Sequence, residues 1–213
     1  MATLQIYWSF RSPYSYLACD RLLEIKRDYD LDTDFRPVRP LALREPDFFS
    51  RGRKQFIPYL MKDFPREAER LGLAAAPPNP DPIRMDFASG KVDAEQPYMN
   101  KIMPLGVAAC EKGAGLEFAT AVARRIWSGV ENWFADDHLA AAATDAKIAY
   151  DALQNWIADN GEVIAETIAR NEAAQMEHHW GVPLMVLDDE PFFGQDRIDA
   201  LIWRLNQRGL RSD

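Results

Sequence analysis

Strand-forming sequence is confined to the two ends of this chain, and the long stretch between them carries helical periodicity. At the N-terminal end, Leu4 to Phe10 is rich in aromatic and β-branched residues and predicts a strand. Pro13 to Tyr29 predicts a helix, with Cys19, Leu22 and Leu23 on one face. Thr33 to Val38 predicts a second strand, closed by Pro37 and Pro40. Two strands joined by a crossover helix are most simply parallel. From about residue 42 to residue 180 helical patterns dominate, over 54–71, 96–112, 116–127, 136–144, 150–158 and 162–180. Phe118, Val122 and Ile126 recur every fourth residue in one of them. At the far end, Pro183 to Leu187 predicts a strand, Asp188-Asp189-Glu190 a turn, and Pro191 to Phe193 the returning strand. Ile198, Leu201, Ile202 and Leu205 then mark one face of a last helix. The expected fold class is α/β. Residues 1–41 and 181–213 form one discontinuous domain, into which residues 42–180 are spliced as an all-helical insertion.

Composition excludes several classes of function. The formal net charge is −8 over 213 residues, which opposes a nonspecific nucleic-acid or membrane-surface binder needing a basic face. No apolar run is long enough for a transmembrane helix, and the first residues lack a basic segment followed by an apolar core. A cytoplasmic protein without nucleic-acid or membrane partners is therefore expected. Cys19 and Cys110 belong to no Cys-x-x-Cys pair and read as buried thiols. His138, His178 and His179 show no metal-ligand spacing, because adjacent helical histidines point about 100° apart. No metal is expected.

The chemistry is placed by the turn after the first strand, Ser9-Phe10-Arg11-Ser12-Pro13-Tyr14-Ser15. Serine is a favoured helix N-cap and proline a favoured first helical residue. The capping hydroxyl sits beside unpaired N–H groups at the positive end of the helix dipole, where an anion is stabilised and a thiolate has its pKa lowered. The Pro-rich run from Ala76 to Pro82 cannot be helical throughout and reads as a loop, a candidate pocket wall. Gly181-Val182-Pro183 opens the third strand, and its proline is a candidate for a cis bond. Gln195 and Asp196 open the last helix, Asp196 as a helix N-cap or the pair as a grip on the charged end of a peptide ligand.

The combination resembles the 2-hydroxychromene-2-carboxylate isomerases and the related kappa-class glutathione transferases, within the DsbA-like thioredoxin superfamily. The matching motifs are Phe10-Arg11-Ser12-Pro13-Tyr14-Ser15-Tyr16-Leu17, Tyr59-Leu60-Met61-Lys62-Asp63, Trp180-Gly181-Val182-Pro183 and Phe193-Gly194-Gln195-Asp196-Arg197. The resemblance implies a thioredoxin-like domain whose Cys-x-x-Cys slot reads Ser12-Pro13-Tyr14-Ser15, so that the nucleophilic sulfur comes from glutathione. It implies that Ser12 is the catalytic residue hydrogen-bonding the glutathione sulfur. Val182, at Pro183, pairs through its backbone with the cysteinyl unit, and Gln195 and Asp196 bind the γ-glutamyl end. A homodimer is implied as well. One departure stands out: the segment from Leu43 to Lys54 has no asparagine, where the family commonly carries one near glutathione. Its basic residues Arg51 and Lys54, together with Arg84, are candidates to hold the carboxylate of a small electrophilic substrate.

The implied reaction interconverts a cyclic hemiketal acid and its open benzylidenepyruvate form. Reversible thiolate addition to the conjugated double bond would allow rotation. A neutral serine is a poor base and suits hydrogen-bond donation to the thiolate. Two rivals stand beside this reading: a kappa-like glutathione transferase or peroxidase, and a non-catalytic thioredoxin-fold binder of a thiol peptide or protein. Disulfide exchange by the protein itself is disfavoured, since two serines cannot cycle electrons.

Overall fold

The computed structural model describes residues 1–48, 55–86 and 89–212. The sheet among the described residues has the order β2-β1-β3-β4, built from β1 (Ala2–Trp8), β2 (Leu31–Pro37), β3 (Leu184–Leu187) and β4 (Glu190–Phe193). β1 runs parallel to β2, from Ala2 opposite Leu31 to Trp8 opposite Pro37. The connecting helix α1 (Pro13–Asp28) makes that crossover possible. β3 is antiparallel to β1, with Leu4 opposite Leu187 and Tyr7 opposite Leu184. β4 returns antiparallel, with Leu184 opposite Phe193.

This register decides where the motifs meet. β1 ends where β3 begins, and β4 ends beside the start of β3. The turn after β1, the Val182–Pro183 step and the segment after Phe193 therefore gather at one end of the sheet. The hairpin between β3 and β4 closes at the other end. Asp188 and Asp189 both have positive φ, 45° and 71°, as a tight two-residue turn between right-twisted strands requires. The turn is thus shorter than the sequence pattern predicted, and Glu190 is the first residue of β4 rather than a turn residue.

Between β2 and β3 the chain is helical: α2 (Leu41–Arg44), α3 (Phe56–Leu71), α4 (Pro97–Glu111), α5 (Gly115–Trp127), α6 (Asp136–Asp145), α7 (Tyr150–Asp159) and α8 (Gly161–Met176). After β4 a 3₁₀ turn (Gln195–Arg197) leads into α9 (Ile198–Gln207). The short α2 had no sequence signal. α8 stops at Met176 rather than continuing to residue 180, which frees His178 to Trp180 for the loop before β3.

Most of the periodic positions bury, while Leu23 and Ile202 are half-buried against the same core. Phe118, Val122 and Ile126 are completely inaccessible, as are Ile198, Leu201 and Leu205. One apolar cluster joins Leu4, Ile6 and Trp8 of β1, Leu22 of α1 and Phe118 of α5, so the helical segment and the sheet share a core. Cys19 and Cys110 are free thiols within it or against it. Burial pushes both up to about 12, so neither is a thiolate at neutral pH. No helix among the described residues is long and apolar enough to cross a membrane.

Candidate active site

The two serines of the helix-start motif have different surroundings. Ser15 is completely buried. Its carbonyl accepts from Trp8 Nε1 at 3.0 Å and from Cys19 Sγ at 3.5 Å, so it belongs to the packing between β1 and α1. Ser12 is half-buried and sits at the helix mouth. It has extended backbone geometry (φ −86°, ψ 116°) and caps α1 by accepting from the Ser15 N–H at 3.1 Å. Its hydroxyl donates across the sheet end to the Val182 carbonyl at 3.3 Å. Pro13 has no N–H, and that of Tyr14 has no acceptor among the described residues. The helix start therefore offers a donor N–H and a hydroxyl at its positive end.

Facing Ser12, the Val182–Pro183 bond is cis, as the sequence led us to expect. Val182 is half-buried and its N–H has no partner among the described residues, so the segment entering β3 has a backbone donor to offer an extended peptide. Pro183 is buried, and its carbonyl accepts from the Gly194 N–H at 2.9 Å, locking the loop to the end of β4.

Gln195 and Asp196 divide in the same way as the serines. Gln195 is 4% exposed, and both ends of its side-chain amide are engaged within the protein. The oxygen accepts from Arg21, which also reaches the Gln195 carbonyl at 2.7 Å, and the nitrogen donates to Glu67 at 3.2 Å. Asp196 does not cap through its side chain; it stands in the 3₁₀ turn, 65% exposed, 3.8 Å from Arg197. Of the pair, Asp196 is the group with a carboxylate free to meet a ligand amine.

α3 ties the two motifs together. Asp63 and Glu67 lie one turn apart on it and so share a face. Glu67 holds Gln195. Asp63, 8% exposed, accepts from Tyr14 at 2.7 Å, from Tyr59 at 3.0 Å and from Arg66. Burial alone would raise the Asp63 carboxyl; the bonds from Tyr14, Arg66 and Tyr59 outweigh it and hold the group below its ordinary value. Tyr14 is pushed up by burial and by the same carboxylate, so it stays a neutral donor. Sequence reasoning picked Asp63 only as part of a motif. The i, i+4 spacing of two carboxylates beside the tyrosine motif was the available signal.

The positions expected to hold a substrate carboxylate fare unevenly. Arg51 and Lys54 lie outside the described residues. Arg84 is already paired, 3.2 Å from Asp93 and 3.6 Å from Glu95. The Pro-rich loop does form a wall: Pro80 and Asp81, with Arg84 and Tyr98, line a cleft of about 810 Å³. Asp81 anchors it to the helix start through a two-bond pair with Arg11, at 2.7 and 3.1 Å. A second cleft, of about 880 Å³, lies between α4 and α8. Neither cleft is lined by Ser12 or Val182, so convergent chemistry rather than concavity marks this site. Among the described residues no cluster of three or more His, Cys, Asp or Glu side chains is placed to hold a metal ion.

Gly181 keeps the loop tight. A Cβ there would overlap the Phe193 ring. Gly181→Ala should therefore displace Phe193 or the loop and lower stability by about 1–3 kcal/mol, measured by urea unfolding. An unchanged midpoint would show that the ring gives way freely.

A serine at the start of the helix after β1 stands opposite the Val182–Pro183 step, in a thioredoxin-like fold whose two cysteines are both free. The family model for the DSBA-like thioredoxin domain matches residues 3–206, and the chain belongs to that family. It is 26% identical over 203 residues to a 2-hydroxychromene-2-carboxylate isomerase of Sphingobium xenophagum, covering 93% of this chain and 95% of that one. A 2-hydroxychromene-2-carboxylate isomerase of Pseudomonas putida is 25% identical over 207 residues, covering 93% and 91%. Among solved structures, a selenomethionine 2-hydroxychromene-2-carboxylate isomerase superposes with a TM-score of 0.69 at 21% identity, covering 96% of this chain and 95% of that one. These relatives support an enzyme of the isomerase type.

Proposed function

We propose that this chain is a glutathione-dependent isomerase of the 2-hydroxychromene-2-carboxylate isomerase type, with the glutathione thiolate stabilised by Ser12. The observation that carries the reading is the Ser12 hydroxyl at the mouth of α1, 3.3 Å from the Val182 carbonyl at the cis-proline step. The names of the relatives support the reaction. The residues present fit a thiol peptide: Val182 and Tyr14 N–H groups that have no acceptor among the described residues, and an exposed Asp196 carboxylate. The same reading carries a homodimer with it.

When bound, glutathione would supply a thiolate that adds reversibly to a conjugated double bond and leaves after rotation about the resulting single bond. The chain's own work is positioning and charge stabilisation. Ser12 has a single O–H, and its present acceptor is a neutral carbonyl at long range. A thiolate is the stronger acceptor, so the proton turns to it while the Ser15 N–H keeps the oxygen in place. The Tyr14 N–H and the dipole of α1 add to that field. The Val182 backbone pairs with an extended peptide at the entry to β3, and Asp196 orients a ligand ammonium. The protein keeps no thiolate to compete, since Cys19 and Cys110 remain protonated.

Titration calorimetry with reduced glutathione tests this. At about 100 times its dissociation constant, glutathione should add roughly 2.7 kcal/mol of stability, a rise of about 5–10 °C in Tm for a chain of this size. Asp196→Asn should weaken binding, whereas Asp189→Asn, in the hairpin turn at the opposite end of the sheet, should not. An absence of heat at millimolar glutathione would exclude the isomerase and transferase readings together.

A further inference from the structure

Beside the Ser12–Val182 contact the surface is aromatic. The His179 ring stacks on Phe193, with centroids 3.7 Å apart and planes at 25°, and on Trp180 at 5.0 Å and 28°. Phe48 packs against Trp180 at 4.9 Å. Stacking would ordinarily hide such rings, yet Trp180 remains 37% exposed and Phe193 39% exposed. Their place is set by the sheet: Trp180 precedes Val182 by two residues, and Phe193 pairs with Leu184 at the start of β3. The rings therefore flank the step at which a thiol would be held.

A cation adjoins them. Arg44, at the end of α2, donates from Nη2 to the Trp180 carbonyl at 3.2 Å, from Nη1 to Gln175 at 3.0 Å and from Nε to the Arg39 carbonyl at 2.9 Å. Those acceptors are neutral. Glu172 and Glu45 are near enough to be felt, but no carboxylate lies within 4 Å of Arg44 among the described residues. Glu172 is engaged by Arg39 in a two-bond pair. Two of the five guanidinium N–H groups of Arg44 have no acceptor among the described residues. His179 adds no charge: its Nδ1 accepts from the Gly181 N–H at 2.9 Å, and burial lowers its pKa.

We propose that Arg44 and the Trp180–His179–Phe193 ring cluster form the subsite for the planar aryl-carboxylate part of the electrophilic substrate, the rings stacking on the aryl group and Arg44 holding the carboxylate. The proposal rests on the isomerase reading and assigns its substrate side. A flat ring gains most from offset contact with exposed aromatic faces, and a guanidinium with free N–H groups matches a carboxylate. Arg44 takes the role expected of Arg84, whose charge is met within its own loop.

The probe is 2-naphthoate, followed by calorimetry on the whole chain, with 2-naphthamide as its uncharged counterpart. Wild type should bind 2-naphthoate more tightly than 2-naphthamide. Phe193→Leu and Trp180→Leu should weaken both probes about tenfold. Arg44→Gln should weaken 2-naphthoate about tenfold and leave 2-naphthamide within twofold, and Arg44→Lys should recover part of the difference. Equal losses for both probes in Arg44→Gln would show that Arg44 only positions the loop, and would overturn its assignment. Unchanged binding in the ring variants would overturn the stacking face. Glutathione binding is measured in parallel. Protein that binds glutathione but not 2-naphthoate sinks the subsite alone, and the converse sinks the glutathione reading alone.

Discussion

Replacing Ser12 by alanine should raise the pKa of glutathione bound to this protein by about one to two pH units, because a hydrogen bond to a charged group contributes roughly 1.5–3 kcal/mol. Where that carries the thiol above the working pH, thiolate and turnover should fall about ten- to a hundredfold. The same substitution removes the cap on the Ser15 N–H, an independent loss of about 0.5–2 kcal/mol in folding stability. Ser12→Thr separates the two, since it keeps a hydroxyl for both tasks. Titrating thiolate absorbance in the complexes of wild type, Ser12→Ala and Ser12→Thr is the decisive measurement. Identical pKa values in all three would reduce Ser12 to a helix cap.

Asp63→Ala should destabilise the fold by about 1–3 kcal/mol, because it strands the half-buried Tyr14 hydroxyl, whereas Tyr59 and Arg66 are exposed and turn to water. The carboxyl is held below its ordinary value in the fold, burial opposing and the three hydrogen bonds prevailing. A group depressed in this way stabilises the fold fully above its unfolded pKa of about 3.9. That contribution is lost as pH falls through the lower, folded pKa. Wild type should therefore lose stability below about pH 4, and Asp63→Asn should lose less over the same range. Chemical denaturation from pH 2 to pH 7 would show the slope. Parallel slopes in both proteins would place the acid sensitivity elsewhere.

Much of the site was legible because its parts are local. A hydroxyl followed by proline announces a helix start wherever it occurs, and Gly181-Val182-Pro183 announces a special strand entry. Side-chain engagement was not legible. Nothing in Gln195-Asp196 says that one side chain is locked between Arg21 and Glu67 while its neighbour stands in solvent. The serines Ser12 and Ser15 look alike on paper, yet only the first faces Val182. Arg84 looked like a free cation because its partners Asp93 and Glu95 follow it by nine and eleven residues, outside any helical spacing. Arg44 was overlooked because its helix of four residues leaves no periodic trace.

By itself the sequence determined the four strands, the long helices and their order, though not the short α2. Strand-forming residue types at both ends and a 3.6-residue period between them follow from which faces must leave water, and that depends on neighbours a few residues away. It also determined the chemical type of the helix start, since capping is a contact within one turn. Only the tertiary structure decided which of these elements meet. The antiparallel entry of β3 beside β1 carries Val182 across 170 residues to Ser12, and α3 reaches both Tyr14 and Gln195 from one face. Such contacts arise from strand register and shared burial in a common core, properties that no single segment possesses until all of them have packed.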